Sequence, residues 1–456
     1  MADLTCDVAI VGAGTAGIAA ERSARAAGAS TLLIDKSFPG TTCASVGCMP
    51  SKLLIAAARA ASAVREADKF GIVVRNSAID GPAVMARVRR LRDSFVQAAK
   101  KSYDELPRGV AVKAQAKLLS GTQLALDDGR AVVAKAIVLA TGSHPLIPKQ
   151  LSALNELVLT NETIFDLQDL PATLAVIGAG PLGLELASAF ARLGVDTEVF
   201  DEGKHIGGLR DDGLSERFRS LLSKDMPIHL GVDLRSERDG DAVQLKWTGP
   251  TYGTRRFSRL LVATGRPPNL QDLDLKAAGL DVDDKGIPLF DPSTMQCGVS
   301  RIFMAGDVNA SRPVLHEAIF DGEIAGRNAA SWPKTSPSKR TPAMAITFTD
   351  PALALIGRVD GPGLVLGEVD YADQGRAIIE GLNEGFARIF ADRDGGLTGA
   401  VLASPGAEHL AHLLAWAIAE GATVDTLSNR PFYHPTLEEG LKTALLDFNR
   451  RLSSTS

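Results

Sequence analysis

Cys43 and Cys48 stand five positions apart in the run Gly40-Thr41-Thr42-Cys43-Ala44-Ser45-Val46-Gly47-Cys48-Met49-Pro50-Ser51-Lys52. On a regular α-helix that separation is roughly 7.5 Å along the axis, at or beyond the usual Cα span of a disulfide. A bridge therefore needs a distorted turn, and Gly47 offers the backbone freedom for one. Such a pair could carry electrons as dithiol and disulfide; it could also be half of a metal site, or two inert buried thiols. Thiol exchange needs the attacking sulfur as thiolate, and a free thiol with a pKa of about 8.5 is mostly protonated at neutral pH. Lys52 would favour the thiolate by its charge, although alone it reads as a solvated helix lysine. A base is also required. His434, in Pro431-Phe432-Tyr433-His434-Pro435-Thr436-Leu437-Glu438-Glu439-Gly440, is a candidate. A histidine before a proline is more often a packed loop residue. Its position predicts an extended His434 and a helix opened by Pro435 that carries Glu438 and Glu439.

Two repeated devices would position this chemistry. The apolar run 7–11 leads into Gly12-Ala13-Gly14-Thr15-Ala16-Gly17, and a strand over 31–34 then delivers Asp35. The run 174–177 leads into Gly178-Ala179-Gly180-Pro181-Leu182-Gly183, with Gly194 closing the helix and Asp201 ending the next strand. Gly12, Gly14, Gly17, Gly28 and Asp35 recur as Gly178, Gly180, Gly183, Gly194 and Asp201, each 166 residues later. The first glycine makes the turn, the second admits a pyrophosphate, and the third lets the helix pack on the strand. The helix N-terminus attracts the phosphate charge, and the aspartate is placed for a ribose hydroxyl. One such motif is weak evidence. Two in register predict two Rossmann-like domains and two bound dinucleotides. Asp201, followed by Glu202-Gly203-Lys204 without an arginine cluster, favours NAD over NADP.

The whole pattern, Cys-x-x-x-Gly-Cys-x-Pro-Ser-Lys included, resembles the pyridine nucleotide-disulfide oxidoreductases, most closely their dihydrolipoyl-oxidising members. Ala140-Thr141-Gly142 and Ala263-Thr264-Gly265-Arg266 resemble the turns that close the two nucleotide domains, and Met304-Ala305-Gly306-Asp307 the second FAD motif. The resemblance implies an α/β chain with two Rossmann-like dinucleotide-binding domains plus a C-terminal α+β interface domain. It places FAD on the first fold, with Gly12, Gly14, Gly17, Asp35, Lys52, Thr141, Gly142 and Asp307. NAD falls on the second, with Gly178, Gly180, Gly183, Glu185, Asp201 and Gly265. Cys48 would lie against the flavin, Cys43 would exchange with substrate, Lys52 would pair with Glu185, and His434 oriented by Glu439 would serve the opposite subunit of a homodimer. The implied donor is a dihydrolipoyl group on a lipoyl domain of a 2-oxo acid dehydrogenase or glycine cleavage complex. Gly40-Thr41-Thr42 and Ser45 depart from the family's usual Gly-Gly-Thr and Asn. The segment 357–367 also looks trimmed relative to the family.

Composition agrees with such an enzyme. A chain of 456 residues suggests two to four domains. The expected boundaries are 1–146 and 270–338 for the FAD part, 147–269 for the NAD domain and 339–456 for the interface domain, with a Pro/Ser-rich linker at 332–337. A formal charge of −5 without a basic run argues against nucleic acid. No targeting or membrane segment is read in the N-terminal apolar stretch. Four cysteines fit a reducing cytoplasm. Cys6 and Cys297 read as buried small hydrophobes, and His409 and His412 as an interface helix without a third metal ligand. Glutathione-type reductases are disfavoured by Asp201. Mercuric and large thioredoxin reductases are disfavoured by the lack of any cysteine after Cys297, and a transhydrogenase by the presence of the cysteine pair. A non-catalytic subunit of a complex is the reading from another class; retention of both cysteines, Lys52, His434 and Glu439 speaks against it.

Overall fold

The computed structural model describes residues 3–454 and divides them between two compact units. The first unit comprises Met1–Pro50, Val88–Leu146 and Gly265–Arg340. Its seven-stranded sheet is centred on Leu4–Val11, whose fully buried end (Val8 to Val11) leads into the first glycine turn. That strand pairs in parallel with Thr31–Asp35 on one side and Ala131–Leu139 on the other, with Val11 opposite both Ile34 and Leu139. Ala131–Leu139 also pairs in parallel with Ile302–Met304, which brings the Gly306-Asp307 turn to the same sheet end as Gly12. Strands buried on both faces read as continuous apolar runs, as 8–11 and 136–139 do, whereas the first halves of these two strands are partly exposed.

Alanines on the helix Thr15–Ala26 have a packing reason. A Cβ on Gly322 or Gly326 of the helix Leu315–Ser331 would stand 2.3 Å from the Ala16 carbonyl and 2.2 Å from that of Ala20. The two helices touch backbone to backbone, and only small residues permit that approach. Beyond the helix, the segment read as a linker is fixed: Asn328 bonds the backbone of Ser336 at both N and O, and the Arg301 guanidinium lies 4.1 Å from the Trp332 ring centroid.

The second unit comprises Ser51–Arg87, Ile147–Thr264 and Thr341–Ser456. It holds a parallel five-stranded sheet in the order Ile228–Leu230, Asp196–Asp201, Thr173–Ile177, Arg259–Val262, Val158–Leu159. A three-stranded antiparallel sheet (Asp233–Asp239, Ala242–Thr248, Gly253–Phe257) shares its core through Trp247 and Phe257. The C-terminal part is an antiparallel five-stranded sheet in the order Met344–Thr347, Ala352–Gly357, Leu397–Ser404, Phe386–Ala391, Val365–Asp370. The helices Ala407–Ala419 and Glu439–Ser454 close its core around Leu410, Leu414, Leu441 and Phe448. The segment 357–367 holds a short connection between Gly357 and the strand Val365–Asp370. Among the described residues no helix is long and apolar enough to cross a membrane, and no group of three or more His, Cys, Asp or Glu could hold a metal ion.

The two glycine turns share nearly the same backbone angle and the same hydrogen bond at their first glycine. Gly12 and Gly178 have φ of +106° and +113°, and their N–H groups donate to the carbonyls of Ile34 and Phe200 at 2.8 Å each. A Cβ on Gly17 or Gly183 would fall 1.8 or 2.0 Å from the carbonyl oxygen of the first glycine. Gly183→Ala is therefore expected to distort the second turn, costing about 1–3 kcal/mol in urea unfolding and weakening dinucleotide binding at that turn by roughly 5- to 150-fold. Wild-type affinity and stability in that variant would show that the close approach is dispensable.

Candidate active site

Cys43 sits on a single helical turn, Thr42–Ser45, capped by the Thr41 hydroxyl, which accepts the Ala44 N–H. Cys48 opens the helix Cys48–Arg65, so the chain breaks between the cysteines and no regular helix separates them. The role foreseen for Gly47 is corrected: its φ lies outside the left-handed region. Its missing side chain matters through space instead, since a Cβ there would meet the Thr42 carbonyl oxygen at 2.9 Å and the Cys43 Cα at 3.2 Å. Gly47 lets the chain fold back onto the first cysteine. Cys43 is half-buried and Cys48 exposed. The other two cysteines differ from each other. Burial pushes both thiols up to about 12, but Cys297 is fully buried whereas Cys6 is half-buried beside Asp7.

Lys52 lies one turn beyond Cys48 on the same helix. Its ammonium donates to Glu185 Oε2 at 2.7 Å and lies 4.2 Å from the centroid of the Phe348 ring, and the Phe348 N–H donates to Glu185 Oε1 at 2.9 Å. Glu185, with only 7% of its side chain exposed, is thus satisfied at both oxygens. Phe348 has no motif of its own and was invisible in the sequence.

His434 Nδ1 stands 3.0 and 3.1 Å from the two oxygens of Glu439. The predicted helix start is corrected here. The His434–Pro435 bond is cis, a turn follows, and the helix begins at Glu439. The reason is that Glu439 reaches back and accepts the Thr436 N–H at 3.0 Å, occupying its own helix entrance. That N–H, and then His434, hold the Glu439 carboxyl below the usual carboxylate range. Glu439 therefore stays charged through the pH range in which imidazoles ordinarily titrate. The His434 side chain is 80% exposed, with Nε2 left for another group. His409 is exposed and His412 Nδ1 bonds the Glu408 carbonyl, so the pair is not a ligand set.

Both motif aspartates are committed within their own turns. Asp35 Oδ2 accepts the Ala13 N–H at 3.0 Å, and its Oδ1 accepts those of Ser37 and Phe38 at 2.9 Å each. Asp201 Oδ2 accepts the Ala179 N–H and Oδ1 that of Gly203, both at 2.6 Å. A carboxylate offers about four lone-pair sites, so capacity for a ribose hydroxyl remains, more at Asp201 than at Asp35. Gly14 and Gly180 face open space: nothing lies within 4 Å of where a Cβ would be. Each turn thus keeps its second glycine clear for a phosphate and the first N–H groups of its helix unspent. Pro181 removes one such donor from the second turn, where the first has Thr15.

At the same sheet end of the first unit, Asp307 Oδ2 accepts the Ser143 hydroxyl at 2.9 Å, and Arg266 bonds Ser143 in turn. Asn269 clamps the Thr141-Gly142 turn: its Nδ2 donates to the Thr141 carbonyl at 2.8 Å and its N–H to that of Gly142 at 2.9 Å. Gly142 and Gly265 have φ of +70° and +133° with free space beside them. Behind Asp307, buried Asp321 holds the Gly306 N–H and the Asn309 amide, and Arg340 ties Asp321 to Glu317. The residues present fit two dinucleotides.

The family model for the pyridine nucleotide-disulphide oxidoreductases matches residues 6–323, and its dimerisation domain matches 344–445. The chain belongs to this family. As a pyridine nucleotide-disulphide oxidoreductase it uses FAD and NAD(H). It is 30% identical to the dihydrolipoyl dehydrogenase of Bacillus subtilis over 96% of this chain and 98% of the relative. It is likewise 30% identical to the mercuric reductase of Streptomyces lividans over 99% and 98%. Among solved structures, the Cu(II) complex of an HOCl-induced flavoprotein disulfide reductase from Escherichia coli shares the fold, with a TM-score of 0.83 at 20% identity, covering 97% of this chain and 99% of that one.

Proposed function

We propose that this oxidoreductase oxidises dihydrolipoyl groups to the lipoyl disulfide and reduces NAD. The observation that carries the reading is the pair Cys43 and Cys48, set on either side of a helix break by Gly47. The full-length similarity to dihydrolipoyl dehydrogenases supports the substrate. A substrate thiolate attacks Cys43 Sγ of the oxidised pair, the Cys43–Cys48 bond breaks, and Cys48 leaves as thiolate. The second substrate thiol then attacks the mixed disulfide, releasing Cys43 thiolate and the cyclic disulfide product. His434, on the opposite subunit of a homodimer, takes the substrate proton, with Glu439 fixing its tautomer by accepting at Nδ1. Lys52, held by Glu185, places positive charge one turn from Cys48 and favours its thiolate. FAD on the first glycine turn, when bound, supplies the two-electron acceptor between the cysteines and NAD. The free carboxylate capacity of Asp201 suits the 2′-hydroxyl of NAD. A lipoyl domain of a cytoplasmic 2-oxo acid dehydrogenase or glycine cleavage complex is the proposed carrier.

A second reading, reduction of another disulfide or of mercuric ion, is favoured by the equal identity to the Streptomyces enzyme. Steady-state rates with dihydrolipoamide plus NAD, oxidised glutathione plus NADPH, and Hg(II) plus NADPH separate the readings. The first is expected to exceed the others in kcat/KM by on the order of 10²-fold or more, since a site shaped for one substrate loses several kcal/mol on another. A faster glutathione or mercury reaction would replace the proposal.

A further inference from the structure

The two glycine turns are alike in shape yet secured by different groups. In the second, the Ala179 carbonyl accepts the backbone N–H of Gly207 at 2.8 Å. In the first, the matching carbonyl of Ala13 accepts the hydroxyl of Tyr103, from the helix Gly81–Asp104, also at 2.8 Å. The peptide that follows each alanine is trans and planar, so its C=O and the N–H of the next residue point in opposite directions. Fixing the Ala13 carbonyl therefore fixes the direction of the Gly14 N–H, on the residue that faces open space. The N–H of Ala13 is already held by Asp35, so both polar groups of this residue are tied. We infer that Tyr103 is a positioning residue for the FAD pyrophosphate: its hydroxyl sets the peptide plane that aims the Gly14 N–H at the phosphate. This rests on the reading that FAD occupies the first turn.

The surroundings of Tyr103 suit that task. Phe38, at φ +51° with its N–H on Asp35, meets the Tyr103 ring edge-on at 5.1 Å between centroids and 82° between planes. Burial, and then the charge of Asp35, push the phenol up to about 12, the Gly40 N–H offsetting part of this. The hydroxyl remains a donor across the working pH range. Asp35 and Tyr103 thereby tie the two polar groups of Ala13, and with them the turn, to the strand Thr31–Asp35 and the helix Gly81–Asp104, while Phe38 contributes only a ring contact to Tyr103.

The test uses holoenzyme: FAD release on dilution, followed by the fluorescence of free FAD, and NADH binding by titration. Tyr103→Phe keeps the ring and loses one hydrogen bond, so the FAD dissociation constant is expected to rise about 3–10-fold with NADH affinity unchanged. Phe38→Leu keeps the hydroxyl bond and is expected to change FAD affinity less than about 2-fold. Unchanged FAD affinity in Tyr103→Phe, or an equal loss in both variants, overturns the inference and leaves the placement of FAD standing. Weakened NADH binding with unchanged FAD binding overturns the inference and the placement together. Were Tyr103→Phe too poorly folded to measure, Tyr103→Gln, which retains a donor, is expected to hold FAD more tightly than Tyr103→Leu; the reverse order overturns the inference.

Discussion

Cys43→Ser is expected to lower dihydrolipoamide-dependent NAD reduction by on the order of 10³-fold or more, because the residue is the proposed electrophile and nucleophile in turn. A serine hydroxyl forms no disulfide, so the substrate has no bond to attack. The same variant should keep NADH-driven reduction of ferricyanide within a few-fold of wild type, because that reaction needs the nucleotide sites and no dithiol. This split is the informative feature. A variant that lost both activities would have lost its fold or its flavin, and one that kept full dihydrolipoamide turnover would sink the dithiol scheme. Fold damage is a small risk: Cys43 is half-buried on one short helical turn, and serine occupies less volume than cysteine.

Gly47 sharpens the expectation for that turn. Its contact with the Thr42 carbonyl and the Cys43 backbone means that the geometry of the pair depends on an absent side chain. From the sequence alone Gly47 could be credited only with backbone freedom, because spacing reports which residues are neighbours along the chain and not which backbone atoms meet. The glycine motifs were legible for the opposite reason. Their requirements are local, a turn at Gly12 or Gly178 and a helix seated on it at Gly17 or Gly183, and each is written within six residues. The aspartates were legible as types, and their commitments were not. Asp35 and Asp201 each bond the alanine inside their own turn, a contact that closes only when two strands align in parallel.

Residues without motifs stayed hidden. Phe348 reaches Glu185 through its backbone N–H, a bond open to any residue but proline, so its identity carries no signal. Asn269, Ser143 and Tyr103 act across 128, 164 and 90 positions of sequence, on Thr141, Asp307 and Ala13 respectively. The start of the last helix was misread because a proline after His434 suggested a first helical turn. Glu439 instead spends its carboxylate on Thr436 and His434, which delays the helix to its own position. The same commitment gives the site its electrostatic character, since a carboxyl held below its ordinary range keeps its charge beside the imidazole.

His434→Gln is expected to reduce dihydrolipoamide turnover by on the order of 10²–10⁴-fold, the usual contribution of a positioned acid–base group, with ferricyanide reduction again retained. An exposed imidazole oriented from one side by Glu439 presents Nε2 outward, which suits service to a second subunit. Mixing decides whether it does so. In a dimer that joins a Cys43→Ser subunit to a His434→Gln subunit, service in trans leaves one site with both defects and the other intact. Co-expression with random pairing would then restore about a quarter of wild-type activity per site, from two preparations that are each inactive alone. If His434 acted within its own subunit, every site in the mixed dimer would carry one defect and no activity would return. Purified mixed dimers, separated by a charge tag on one subunit, make the comparison direct: half of the wild-type rate per dimer supports service in trans, and a rate no higher than that of the parents refutes it.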